Sequence, residues 1–165
     1  MSKSKEQVAE ILKAAIRGEE DGYKFYDIVA KKAVDPIAKK KLEGLRDDEI
    51  RHKETLIEIF KKYIGGEVGE LPEKGLSVLT EVFRKGHVME LKSEMEFINL
   101  AIEAELAATK YYKEQRDLVD DKNFTEIFDK LADEEHHHYE LLMAEREALT
   151  GNYNWFGYND SPMEH

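Results

Sequence analysis

The chain predicts an all-α fold, a four-helix bundle built from two helical hairpins joined by a long crossover. Three observations carry that prediction. Apolar residues recur at helical spacing along most of the chain, and no segment alternates with period two. Only three Pro and ten Gly interrupt 165 residues. The chain also repeats itself: Glu105, Tyr112, Leu131, Glu135 and His138 stand 86 residues after Glu19, Tyr26, Leu45, Glu49 and His52. Two similar hairpins facing each other about a two-fold axis require the chain to travel the length of the bundle between them, hence the crossover.

Each element has its own local signal. Ser4 and Gln7 form a capping box that opens the first helix, which should run to about Val34. Asp35 and Pro36 then read as an N-cap followed by Pro at the first helical position. The second helix should end at Gly65 and Gly66. Residues 65–92 form the crossover, with Pro72, several Gly and one short helix expected over 76–85. Ser93 and Glu96 make a second capping box, and a turn over 120–123 leads into a last helix that stops at Thr150 and Gly151. The bundle therefore covers residues 1–149. Residues 150–165 form a tail bearing Tyr153, Trp155, Phe156 and Tyr158.

Composition narrows the function. A net charge of −11 with 37% charged residues describes a helix-rich globular chain that would repel nucleic acid and anionic membranes. No apolar run reaches the ~18 residues of a membrane span, and the N-terminus lacks the apolar core of a signal peptide. A cytoplasmic protein is expected. With no Cys, the chain has no disulfide, iron–sulfur cluster or Cys-ligated zinc. Any metal must be held by oxygen and nitrogen, which suits iron, manganese or zinc.

A single Glu-x-x-His means little here. Acidic residues are 36 of 165, and four of the six His have an acid three positions before them. The run His136–His138 offers three registers. The apolar stripes choose among them. Leu42, Leu45, Glu49, His52, Leu56 and Ile59 follow one helical face, as do Phe128, Leu131, Glu135, His138 and Leu142. Glu19 and Tyr26 lie on the stripe of helix 1, and Glu105 and Tyr112 on that of helix 3. Asp133, Glu134, His136 and His137 fall off the stripe and are expected in solvent. So are Glu10 and Glu96, and Glu54 and Glu140, which obey the offset but not the stripes.

Height agrees with face. Glu19 lies 16 residues before Asp35 and Glu49 14 after it, so both stand roughly 21–24 Å from the turn at ~1.5 Å per residue. The offset makes Glu105 and Glu135 level about Asp121 in the same way. Four carboxylates and two imidazoles thus converge on one layer. Buried and ionised, each carboxylate costs several kcal/mol unless neutralised. Two divalent cations neutralise four carboxylates, and Gly22 and Ala108 leave space one turn on from Glu19 and Glu105.

The segments from Ala15 to Tyr26, Leu45 to Lys53, Ala101 to Tyr112 and Leu131 to Tyr139 carry a resemblance to the ferritin-like di-iron superfamily. Within it the chain resembles the rubrerythrin branch over residues 5–149. The resemblance implies Glu49 and Glu135 as metal-bridging carboxylates, Glu19 and Glu105 as terminal ones, and His52 and His138 as one nitrogen ligand per metal. Tyr26 and Tyr112 match tyrosines beside the centre. Two departures stand out. The chain lacks the Cys of a rubredoxin domain, and Ala108 occupies a position where rubrerythrins carry a further Glu. The remaining six-ligand set is similar to bacterioferritin-type centres.

These readings imply two metal ions, most readily iron, and one of three functions. The first is an oxidoreductase reducing peroxide or dioxygen, re-reduced by a separate electron-donor protein such as a rubredoxin. The second is a ferroxidase with iron storage. The third is a bundle in which metal is a structural staple. The 28-residue crossover and the aromatic tail point to a homodimer, with exchange of hairpins as one route to it.

Overall fold

A computed structural model describes residues 3–73, 76, 79, 81, 91–151 and 153–157. It contains four long helices among those residues: α1 (Lys5–Lys32), α2 (Pro36–Tyr63), α3 (Glu94–Gln115) and α4 (Lys122–Leu149). α1 packs along α2 and α3 along α4, and the two hairpins meet through α1–α3 and α2–α4. The short helix expected over 76–85 and the tail residue Tyr158 fall largely or wholly outside the described residues.

The caps are where the sequence puts them. Ser4 and Gln7 close a full capping box, and Asp35 accepts from Ala38 N–H with Pro36 at the start of α2. Ser93 and Asp121 accept from Glu96 and Phe124 N–H, but the Glu96 side chain returns no bond to Ser93, so the second expected capping box forms only by half. Each such cap stabilises its helix by about 1 kcal/mol.

The ends differ from expectation for identifiable reasons. α1 stops at Lys32 because the amides of Val34 and Asp35 turn outward and donate to Trp155 O, at 2.6 and 3.1 Å. α2 stops at Tyr63, where the amides of Ile64 and Gly65 both bond to Phe60 O and Gly65 adopts φ +91°. α3 ends at Gln115, earlier than the turn over 120–123 suggested. The Leu118 amide there bonds Gln115 O, and Thr125 Oγ1 caps Arg116 O.

The core is two apolar halves with a polar layer between them. Phe25, Leu42, Phe97 and Leu142 fill the half near the α1–α2 turn. Leu12, Leu56, Phe124 and Phe128 fill the other. The tail completes the first half: Trp155 is 1% exposed and donates to buried Glu145, while the Phe156 amide donates to Glu94. The aromatic cluster that suggested a dimer is therefore, at Trp155 and Phe156, packed into its own bundle.

Candidate metal centre

Eight residues of the repeat arrive in the polar layer, each from the stripe that the helical period assigned to it. Glu19, Glu49, His52, Glu105, Glu135 and His138 are all buried. Their ligating atoms form two overlapping groups, each within 4.8 Å: Glu19, Glu49, His52 and Glu135, then Glu49, Glu105, Glu135 and His138. Glu49 and Glu135 belong to both. Such an arrangement can hold two cations side by side, with the shared carboxylates between them and one Glu and one His at each end.

The imidazoles stack 5.8 Å apart across the α2–α4 face. His52 Nδ1 lies 2.6 Å from Glu135 and 3.5 Å from Glu19. His138 Nδ1 lies 3.3 Å from Glu49 and 3.4 Å from Glu105. Among the described residues, Glu19 Oε2, Glu49 Oε1, Glu105 Oε2, both Glu135 oxygens and both Nδ1 atoms are buried without a hydrogen bond of proper geometry. Seven inward-facing atoms, all oxygen or imidazole nitrogen, suit a pair of hard or borderline cations.

The electrostatics of the metal-free layer agree. Burial and the charges of Glu135, Glu19 and Glu105 push the Glu49 carboxyl well above its ordinary range. Burial and Glu135 push Glu105 up to about 8. Burial would lower His52, but pairing with Glu135 and Glu19 raises it to about 12, and His138 is raised by Glu105, Glu135 and Glu49 against the same effect of burial. Burial and Glu19 act to raise Glu135, yet its contacts with Glu105 and the two imidazoles hold it low. Carboxylates crowded closely enough to raise one another are a charge that cations would neutralise.

Outside this layer lies a ring that the stripe argument missed. His52 Nε2 pairs with Glu134 at 3.0 Å, and His138 Nε2 with Asp48 at 2.9 Å. Each helix thus supplies the carboxylate that orients the other helix's imidazole, leaving Nδ1 to face inward. Arg51 Nη2 sits 3.1 Å from both Asp48 and Glu134 and joins them. Burial would raise these carboxyls, but His138 and Arg51 hold Asp48 low, and Arg51 and His52 do so for Glu134. Glu134 is therefore not a solvated bystander. The face rule failed because a half-buried side chain at the edge of the stripe reaches across to α2. The signal was available, since Asp48 and Glu134 stand at the same offset of 86. Asp133, His136 and His137 are exposed, as are Glu10, Glu54, Glu96 and Glu140.

The α1–α3 face is built differently. Tyr26 OH donates to Glu105 at 2.6 Å, and Tyr112 OH donates to Glu19 at 2.5 Å. Burial and the surrounding carboxylates push both phenols well above their usual range, so they remain donors. A cavity of about 20 Å³ opens beside the carboxylates, lined by Gly22, Ala104 and Ala108 and covered by Leu76 and Leu79 of the crossover. A Cβ at Gly22 would overlap Glu49 Oε2, so only Gly leaves that carboxylate its place.

The rubrerythrin family model matches residues 10–145, with a second match over 96–162. A hypothetical protein from Pyrococcus furiosus shares the fold with a TM-score of 0.72 and 26% identity, over 86% of this chain and 89% of that one. A two-domain protein from Anabaena variabilis, with DJ-1/ThiJ/PfpI-like and ferritin-like domains, aligns at TM-score 0.67 and 16% identity. That alignment takes in 93% of this chain and 42% of the other, and it speaks to the fold alone. No curated protein matches the chain. No described helix is long and apolar enough to cross a membrane. Fold, buried Glu/His layer and family match agree: the chain belongs to the rubrerythrin family of ferritin-like proteins.

Proposed function

We propose that this protein is a di-iron oxidoreductase that reduces hydrogen peroxide or dioxygen, with Glu19, Glu49, His52, Glu105, Glu135 and His138 as its ligands. The observation that carries the proposal is the sharing of Glu49 and Glu135 between two buried four-residue groups. A structural staple needs one closed set of ligands; two sets joined by common carboxylates suit a pair of ions acting on one small molecule. When bound, the metal pair supplies the two electrons that the oxidant takes up.

The chain's own residues organise that exchange. Asp48 and Glu134 hold each imidazole by its outer nitrogen, so the α2–α4 face has no freedom to turn. Tyr26 and Tyr112 hold the terminal carboxylates by one oxygen and leave the other directed at the centre. Gly22 and Ala108 keep the α1–α3 side open at the scale of a single small molecule, which a cavity of about 20 Å³ admits. Leu76 and Leu79 add apolar lining to that space.

Ala108 favours one further reading. A six-residue centre without an additional carboxylate at that position suits a ferroxidase that lets oxidised iron leave. Metal analysis of the purified protein, then stopped-flow oxidation by each oxidant, separates the two. Faster oxidation by peroxide with iron retained is the expected result. Faster oxidation by dioxygen with iron released would favour the ferroxidase, and a protein that binds no metal would overturn both.

A further inference from the structure

The surface around the α1–α2 turn differs in charge from the rest of the molecule. Residues 31–41 contain Lys31, Lys32, Lys39, Lys40 and Lys41 against one acid, Asp35, a local charge of +4 in a chain of −11. Asp35 is engaged as the cap of α2. Asp27 fixes Lys31 in place and Glu145 fixes Lys41, while Lys39 and Lys40 are exposed. Between the two groups of lysines, Val34 and Ile37 are 67% and 64% exposed, the two most exposed large apolar side chains among the described residues. An apolar centre among five lysines that outnumber the nearby acids Asp27, Asp35 and Glu145 is the composition of a protein-binding patch for an acidic partner.

What lies beneath the patch gives it a direction. Trp155 O accepts from the Val34 and Asp35 amides, and the next residue, Phe156, meets Phe97 edge-on at 5.9 Å between centroids. Phe97 lies 5.7 Å from Phe25, and Phe25 lies 5.8 Å from Tyr26, whose hydroxyl holds Glu105. Lys32 stands over the Phe97 ring. Rings in contact leave few empty gaps between patch and centre, and gaps are what slow electron tunnelling most. A second series, Tyr112, Phe128, Phe124 and Tyr63, runs to the opposite end. That end carries no exposed large apolar side chain among the described residues, which show only Val34, Ile37 and Leu106 exposed in this way.

We propose that the α1–α2 turn is the docking surface for a small acidic protein carrying a one-electron redox centre. This rests on the oxidoreductase reading, since a centre that gives two electrons to its oxidant must recover them. Each encounter oxidises the donor by one electron and reduces the centre by one, so two encounters restore it. Transient electron-transfer contacts bury less than about 1,200 Å², which a patch of this kind can supply.

The test uses rubredoxin as the acidic donor and dithionite as a donor that needs no docking. In Lys39→Glu/Lys40→Glu, re-reduction by rubredoxin at low salt should fall at least about tenfold and lose its salt dependence, with the dithionite rate unchanged. Acids in the first turns of α2 suit the helix dipole, so the variant should fold. Amide shifts of the zinc-loaded protein titrated with zinc rubredoxin should cluster at 31–41 and vanish at high salt. Shifts elsewhere, no shifts, or an unchanged rubredoxin rate would overturn the proposal. A centre that neither donor re-reduces would instead overturn the oxidoreductase reading, and the shift map would still decide the docking surface.

Discussion

The two faces of the centre hold the same charge pattern by opposite means. On the α2–α4 face, each imidazole has a partner behind it, a carboxylate from the other hairpin, and Arg51 ties the two carboxylates together. On the α1–α3 face, Tyr26 and Tyr112 restrain the terminal carboxylates, but small residues leave a cavity beside them. One face is braced from behind, and the other borders open space. A bundle can do both because its helices pair closely within hairpins and less closely between them.

Glu49 and Glu135 come from α2 and α4 but take part in both four-residue groups, and removing one should have the largest effect. Glu49→Gln or Glu135→Gln should abolish binding of both metals, measured by metal analysis and titration calorimetry. Metal-free Glu49→Gln should melt no lower than the parent, because the lost carboxylate is one that burial and its neighbours disfavour. Loss of only one metal would show that the two groups are not joined.

Next comes the fixed face. Glu134→Ala and Asp48→Ala should each weaken metal binding by about 10–100-fold, the usual effect of losing the partner of a ligating His. His137→Ala, in contrast, should leave affinity unchanged, since that side chain is exposed. If Glu134→Ala binds metal normally, the fixed face does not depend on its outer ring.

The open face should answer in rate rather than affinity. Gly22→Ala drives a methyl into Glu49 Oε2 and narrows the cavity, so oxidation by peroxide should slow by about tenfold or more while Ala108→Gly changes little. Tyr26→Phe and Tyr112→Phe should retain both metals. Each should lower metal-free stability by about 1–3 kcal/mol, read by denaturant titration, because a buried carboxylate oxygen loses its donor.

The layer without metal should also answer to pH. Glu105 sits at about 8 when folded against an ordinary 4.5, so the folded metal-free protein holds the extra proton between those values. Stability then falls as pH rises through that window, and His52, raised to about 12 from 6.5, continues the fall above it. Melting temperatures of the metal-free protein should decline from pH 5 to pH 9, and metal loading should flatten the curve. A rising metal-free curve would contradict the charge balance described for the layer.

The helices and the eight polar residues of the repeat were legible in the sequence because helical period and rise are local properties. Leu45, Glu49 and His52 share a face whatever surrounds them, and Asp35 or Ser4 caps its helix through its own neighbours. Chain direction about Asp35 and Asp121 then sets the common height. Contacts between hairpins follow no such rule. That Glu134 reaches His52, that Arg51 joins Asp48 to Glu134, and that Leu76 and Leu79 cover the cavity depend on distances across the bundle. The same is true of Trp155, whose sequence neighbours gave no sign that it would close one end of the core and shorten α1 by taking up the amides of Val34 and Asp35. Periodicity determined which side chains face inward; only tertiary packing decided which of them have a partner behind and which border open space.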